Sequence, residues 1–131
     1  MLEQPILVIL VVEDDALIQD LVQEALADGG FKTEAISSGE KAIALLEERV
    51  QEYRALITDI HLPGTLNGWD VARRARELNP QMPVVYMTGE GADEWPSHGV
   101  PNSVLLLKPF ALAQIVTAIS QLLNQIPLSQ G

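Results

Sequence analysis

Short apolar runs alternate along this chain with longer stretches whose apolar residues recur every three or four positions. Ile6–Val12, Ala55–Thr58, Val84–Met87 and Val104–Leu107 are the runs. Their length and their content of Val, Ile and Leu predict strands buried on both faces. Phe31–Ile36 is half polar, as an edge strand should be. Between the runs, Leu17, Ile18, Leu21, Val22, Ala25 and Leu26 keep helical spacing until Gly29-Gly30 stops them. Ser37 and Glu40 have the spacing of a capping box and open a second helix containing Ala42, Ile43, Leu45 and Leu46. Pro63-Gly64 and Asn67-Gly68 mark a loop. A third helix follows, with Val71, Ala72, Ala75 and Leu78 inside and Arg73, Arg74 and Arg76 outside. Gly89–Asn102 has little periodicity and carries Pro96 and Pro101, so it has room for one or two helical turns near Ala92–Trp95. Ala111–Leu123 predicts the last helix, with Leu112, Ile115, Val116, Ile119, Leu122 and Leu123 on one face.

The order is strand–helix repeated five times with a short or degenerate fourth helix. Right-handed crossovers make that an α/β domain with a parallel sheet and helices on both faces. We expect one domain over 1–126 and a short C-terminal tail over 127–131. The longest apolar run is far shorter than a membrane span, the first residues are not basic, and cysteine is absent. These features predict a cytoplasmic protein without disulfides. The formal net charge of −10 disfavours direct binding of nucleic acid or anionic membranes. It suits a cation site or a basic partner, and it equally serves solubility.

Four runs end on residues that can handle a phosphoryl group. The first ends in Glu13-Asp14-Asp15, the next on Asp59, the next on Thr88 and the last on Lys108. In an open parallel sheet the ligand crevice lies outside the carboxyl ends of the strands. Adjacent acids repel one another and a cation relieves that repulsion. Mg2+ takes few carboxylates, several waters and a phosphate oxygen. Asp15 doubles as the helix cap. A carboxylate such as Asp59 can act as a nucleophile and form an aspartyl-phosphate. Asp14 then serves the metal, Lys108 the developing charge and Thr88 a hydroxyl hydrogen bond. The backbone carbonyl of His61 is within reach of the same cation, whereas its side chain sits at the mouth. His98 reads as surface, and Trp69 and Trp95 as packing residues. A cis bond at Lys108-Pro109 would aim the lysine across the strand ends; sequence does not decide the isomer.

The chain resembles a receiver domain of bacterial two-component signalling, from Ile6 to about Asn124. The matching pieces are Leu10-Val11-Val12-Glu13-Asp14-Asp15, Asp59-Ile60-His61-Leu62-Pro63-Gly64, Asn67-Gly68, Met87-Thr88-Gly89 and Lys108-Pro109-Phe110. The resemblance implies a flavodoxin-like doubly wound sheet of strand order 2-1-3-4-5. It implies transfer of a phosphoryl group from a histidine kinase or histidine phosphotransfer protein onto Asp59. Mg2+ would be held by Glu13 or its water, Asp14, Asp59 and the His61 carbonyl. Thr88 and Lys108 would respond to the phosphoryl group. On this reading the chain catalyses only its own phosphorylation and dephosphorylation, and it signals to a downstream protein that the sequence does not name.

Three departures bear on that reading. The loop after Asp59 is one residue longer than the family's, with Gly64-Thr65-Leu66 before Asn67. Leu105 stands where the family commonly has an aromatic switch residue. Pro96 and Pro101 break the fourth helix, which the family often uses for dimers and output. The segment after Thr88 is similar to receivers of hybrid kinases and stand-alone receivers of alphaproteobacteria. With no effector domain expected after Leu123, output is by relay or by protein binding. Ala16, Leu17, Ile18 and Leu21, with Pro109 and Phe110, make the expected docking face for a phosphohistidine partner. Two other classes compete. One is a receiver-like scaffold that binds a partner without phosphorylation. The other is an aspartyl-nucleophile hydrolase, for which His61 is the sole candidate acid just after Asp59.

Overall fold

A computed structural model describes residues 7–90, 92–109 and 111–125. The expectations for Ile6, Gly91, Phe110 and the tail lie outside the described residues. The elements are β1 (Val8–Val12), α1 (Ala16–Asp28), β2 (Thr33–Ile36), α2 (Gly39–Arg49), β3 (Tyr53–Asp59), α3 (Gly68–Leu78), β4 (Val84–Thr88), α4 (Trp95–His98), β5 (Val104–Leu107) and α5 (Leu112–Gln125). The strands form one parallel sheet in the order β2-β1-β3-β4-β5, as the resemblance implied.

Alternation along the strands divides the core into two layers. Leu10, Leu56, Val84 and Tyr86 face Ala42 and Leu46 of α2 and Val71, Ala72 and Ala75 of α3. Ile9, Val11, Ile57, Val85 and Met87 face Val22 and Leu26 of α1 and Ile115, Ala118 and Ile119 of α5. The central strands carry consecutive apolar residues, Val8–Val12, Ala55–Ile57 and Val84–Met87, because both faces are covered. Each fully buried Leu or Ile contributes roughly 1.5–3 kcal/mol relative to an exposed one.

The helix boundaries follow their caps. Asp15 caps α1 as expected, accepting hydrogen bonds from the amides of Leu17 (2.9 Å) and Ile18 (3.3 Å). Helix α2 is capped by Ser38, which accepts from the Lys41 amide at 3.2 Å, and not by Ser37. Glu40 therefore lies too early to close a box, and its carboxylate turns elsewhere. The reciprocal box is at α3, between Asn67 and Asp70.

The remaining differences are local. Strand β3 begins two residues before Ala55, because Tyr53 and Arg54 extend it. Arg76 is half-buried and not outside: its guanidinium donates to the carbonyls of Met82 (2.6 Å) and Pro101 (2.5 Å). The fourth helix is one turn, preceded by a 3-10 turn over Ala92–Glu94. Ser103 and Tyr86 brace it. The Trp95 indole donates to the Ser103 hydroxyl (2.9 Å), and the Val100 amide donates to the Tyr86 hydroxyl (3.1 Å). No helix among the described residues is long and apolar enough to cross a membrane.

Candidate phospho-acceptor and cation site

Glu13, Asp59 and Lys108 meet at the carboxyl ends of β1, β3 and β5. Extending the strand alternation places all three on the α1–α5 side of the sheet, with Val11, Ile57 and Leu106. The Lys108 ammonium donates to Glu13 Oε1 and to Asp59 Oδ2, each at 2.9 Å. Glu13 and Asp59 are buried, whereas Asp14 beside them is exposed. One carboxylate oxygen from each of Glu13, Asp14 and Asp59 lies within 4.8 Å of the others. The Lys108-Pro109 bond is cis.

Local hydrogen bonds aim these groups. The second oxygen of Glu13 accepts from the Asp15 amide at 3.1 Å, so protein donors hold both of its oxygens. Gln19 donates to the Glu13 carbonyl at 2.5 Å and ties α1 to the loop. Asp59 Oδ1 accepts from the His61 amide at 3.2 Å. Gly68 opens α3 directly against Asp59, where a β-carbon would collide with the Asp59 backbone.

Burial raises the Glu13 carboxyl above its usual range, even though the Lys108 and Asp15 bonds pull it down. Burial pulls Lys108 down, but its bonds to Glu13 and Asp59 outweigh that and leave the ammonium above its usual range. The two directions oppose each other: the raised lysine favours the ion pair and the raised glutamate weakens it. The lysine is the firmer guide at neutral pH, because two carboxylates stand 2.9 Å from one ammonium.

Thr88 is the predicted residue that does not join the cluster. It shares the sheet face of Tyr86, not that of Met87. Its hydroxyl donates to the Glu90 carbonyl and accepts from the Glu90 amide, so it is turned onto the following loop. The His61 side chain is exposed, as expected at a mouth. His98 is exposed too, but its ring also lies 5.9 Å from that of buried Trp69. Beside Lys108, a groove of about 370 Å3 runs between Ile18, Leu21, Val22, Pro109 and Leu112. Leu17 is 67% exposed at its edge.

Reading the sequence missed a tether to the loop after Asp59. Glu40 Oε2 accepts from the Thr65 amide (3.0 Å) and hydroxyl (3.2 Å). In the sequence, Pro63-Gly64 and Asn67-Gly68 mark the loop and Glu40 reads as part of a capping box, but nothing pairs the two.

The fold and site define a doubly wound α/β domain with an acid-rich crevice at the carboxyl edge of its sheet. A family model for the response regulator receiver domain matches residues 9–120, and the chain belongs to that family. It is similar to a response regulator receiver protein from Sinorhizobium medicae: 45% identity, TM-score 0.88, covering 91% of this chain and 95% of that one. It is 32% identical to the response regulator receiver protein CpdR of Brucella abortus, over 88% of this chain and 95% of that protein. It is 30% identical to the transcriptional regulatory protein CusR of Escherichia coli over 89% of this chain. The chain spans about half of CusR's length, 51%.

Proposed function

We propose that the chain is a phospho-acceptor receiver that takes a phosphoryl group onto Asp59. The observation that carries this reading is that carboxylate oxygens of Glu13, Asp14 and Asp59 lie within 4.8 Å of one another, with the Lys108 ammonium on Glu13 and Asp59. The donor set fits Mg2+: hard oxygen ligands, few of them, with an exposed side for water and a phosphate oxygen. Asp14, Asp59 and the His61 carbonyl would hold it, with Glu13 binding directly or through a bound water. Bound Mg2+ would offset charge on the phosphoryl oxygens.

An Asp59 carboxylate oxygen attacks phosphorus in line. The bond from phosphorus to the donor histidine nitrogen breaks, and the imidazole leaves with that electron pair and takes up a proton. Lys108 stays beside Asp59 and meets the charge on the phosphoryl oxygens. Thr88 must give up its bond to Glu90 before its hydroxyl can serve them. The chemistry is confined to the chain's own aspartate, and the output goes to a downstream protein.

The donor, a histidine kinase or histidine phosphotransfer protein, docks on the groove edged by Leu17, Ile18 and Leu21, next to Lys108. Ile18→Asp should then slow transfer from such a protein at least several-fold more than from acetyl phosphate. Equal slowing would remove this face from docking. The reading itself is tested by intact-mass spectrometry after incubation with acetyl phosphate. A Mg2+-dependent gain of one phosphoryl group, absent in Asp59→Asn, is expected. Labelling that persists in Asp59→Asn would overturn the assignment.

A further inference from the structure

We propose that Glu40 is a positioning residue for the cation site, acting through the loop that follows Asp59; this rests on the function proposed above. The loop is closed at its ends by the Gly68 amide, which donates to the Ile60 carbonyl at 2.8 Å. Near its start, the His61 amide donates to Asp59 Oδ1. The middle of the loop is held from outside. Glu40, in the first turn of α2, accepts from both the amide and the hydroxyl of Thr65.

The packing around this tether is close on two sides. Gly64 has φ +90°, a conformation open to glycine, and a β-carbon there would stand 2.9 Å from Glu40 Oε1. A β-carbon on Gly39 would stand 2.6 Å from the Leu66 carbonyl oxygen. The start of α2 and residues 64–66 thus pack closely, through the Glu40 carboxylate at Gly64 and directly between Gly39 and the Leu66 backbone. The hydrogen bonds from the loop also hold the Glu40 carboxyl below its usual range.

The tether lands on Gly64-Thr65-Leu66, in the middle of the loop. A loop held only at its ends has more conformations to lose on ordering. Glu40 removes that freedom four residues from His61, whose amide holds the nucleophile and whose carbonyl would face the proposed cation. The consequence is a site whose affinity for Mg2+ depends on a carboxylate that does not touch it. Groups that orient metal ligands at one remove typically change affinity by 10–100-fold. A tether acting through a loop should do less, about 3–10-fold.

Calorimetric titration of Mg2+ into the wild type, Glu40→Ala, Glu40→Gln and Thr65→Val, with melting temperatures taken without metal, tests this. Glu40→Ala should weaken Mg2+ binding by that factor, and Thr65→Val should weaken it partly. Glu40→Gln keeps an oxygen acceptor for Thr65 and should recover most of the affinity. Unchanged Mg2+ affinity in Glu40→Ala, with or without a lower melting temperature, would reduce the tether to a structural contact and overturn the inference. No Mg2+ binding by the wild type would instead remove the proposed cation site, and this inference with it.

Discussion

The two ends of β3 each set one cation against two carboxylates, at different depths. At its first residue, the Tyr53 hydroxyl donates to Glu34 at 2.9 Å, and Arg49 pairs with the same carboxylate at 2.8 Å. Arg49 also pairs with Glu52 at 3.7 Å, so that cluster has two carboxylates, one cation and a neutral hydroxyl, and its charged side chains are 33%, 35% and 55% exposed. At the last residue of β3, Lys108 stands between two carboxylates whose side chains are 1% and 9% exposed. Asp14 adds a third acid at the rim. In the first cluster the two carboxylates are reached by water, although Arg49 Nε is buried without a partner. The second has more buried negative charge than one ammonium offsets, which the proposed divalent cation would relieve. Burial of the carboxylates, not the presence of an ion pair or the ratio of acids to cations, separates a structural cluster from a candidate reactive one.

Removing one carboxylate partner at each end, Lys108 at one and the Tyr53 hydroxyl at the other, tests this contrast. The largest effect is expected for Lys108→Met, which leaves Glu13 and Asp59 buried side by side. Breaking such a pair should lower the unfolding free energy by about 3 kcal/mol at neutral pH without divalent cations. Urea unfolding should show the deficit shrinking when Mg2+ is added, and again at low pH as the carboxylates protonate. A deficit indifferent to both would mean the two acids do not strain the fold.

A smaller effect is expected at the other end. Tyr53→Phe should cost about 1 kcal/mol, and Mg2+ should leave that loss unchanged. Burial, aided by the bond to Glu34, pushes the Tyr53 phenol up to about 12. A folded-state value above the unfolded one means the contribution is complete below the unfolded value of 10.0 and is lost as pH rises toward 12. Absorbance should accordingly show less tyrosinate in the folded protein than in the unfolded one across that interval. Equal ionisation of both forms would contradict the placement of Tyr53.

The residues that the sequence made legible are those whose role follows from position on a strand. Glu13, Asp59 and Lys108 follow apolar runs, so a parallel sheet brings them together whatever the loops do. Thr88 follows the same rule but takes the other face, and its hydroxyl is absorbed by Glu90. Ser38 rather than Ser37 caps α2, a one-residue shift that periodicity does not resolve. Arg76 looked like a surface charge until its guanidinium found the Met82 and Pro101 carbonyls. The Glu34–Arg49–Tyr53 cluster and the Glu40–Thr65 tether join residues far apart in sequence. Their partners depend on how loops and helix ends pack, which no local pattern records.

Excess negative charge at the carboxyl end of the sheet, which a divalent cation would offset, is tested by thermal melting of Asp59→Asn beside the wild type, with and without Mg2+. The His61 and Lys108 bonds fall on different oxygens of Asp59, so the single oxygen of an asparagine keeps one of them, while the lost charge relieves repulsion from Glu13 and Asp14. The account predicts that Asp59→Asn melts about 3 °C higher without metal, corresponding to roughly 1 kcal/mol. It also predicts that Mg2+ raises the wild type more than the variant. A variant that melts lower without metal, beside a wild type indifferent to Mg2+, would contradict it.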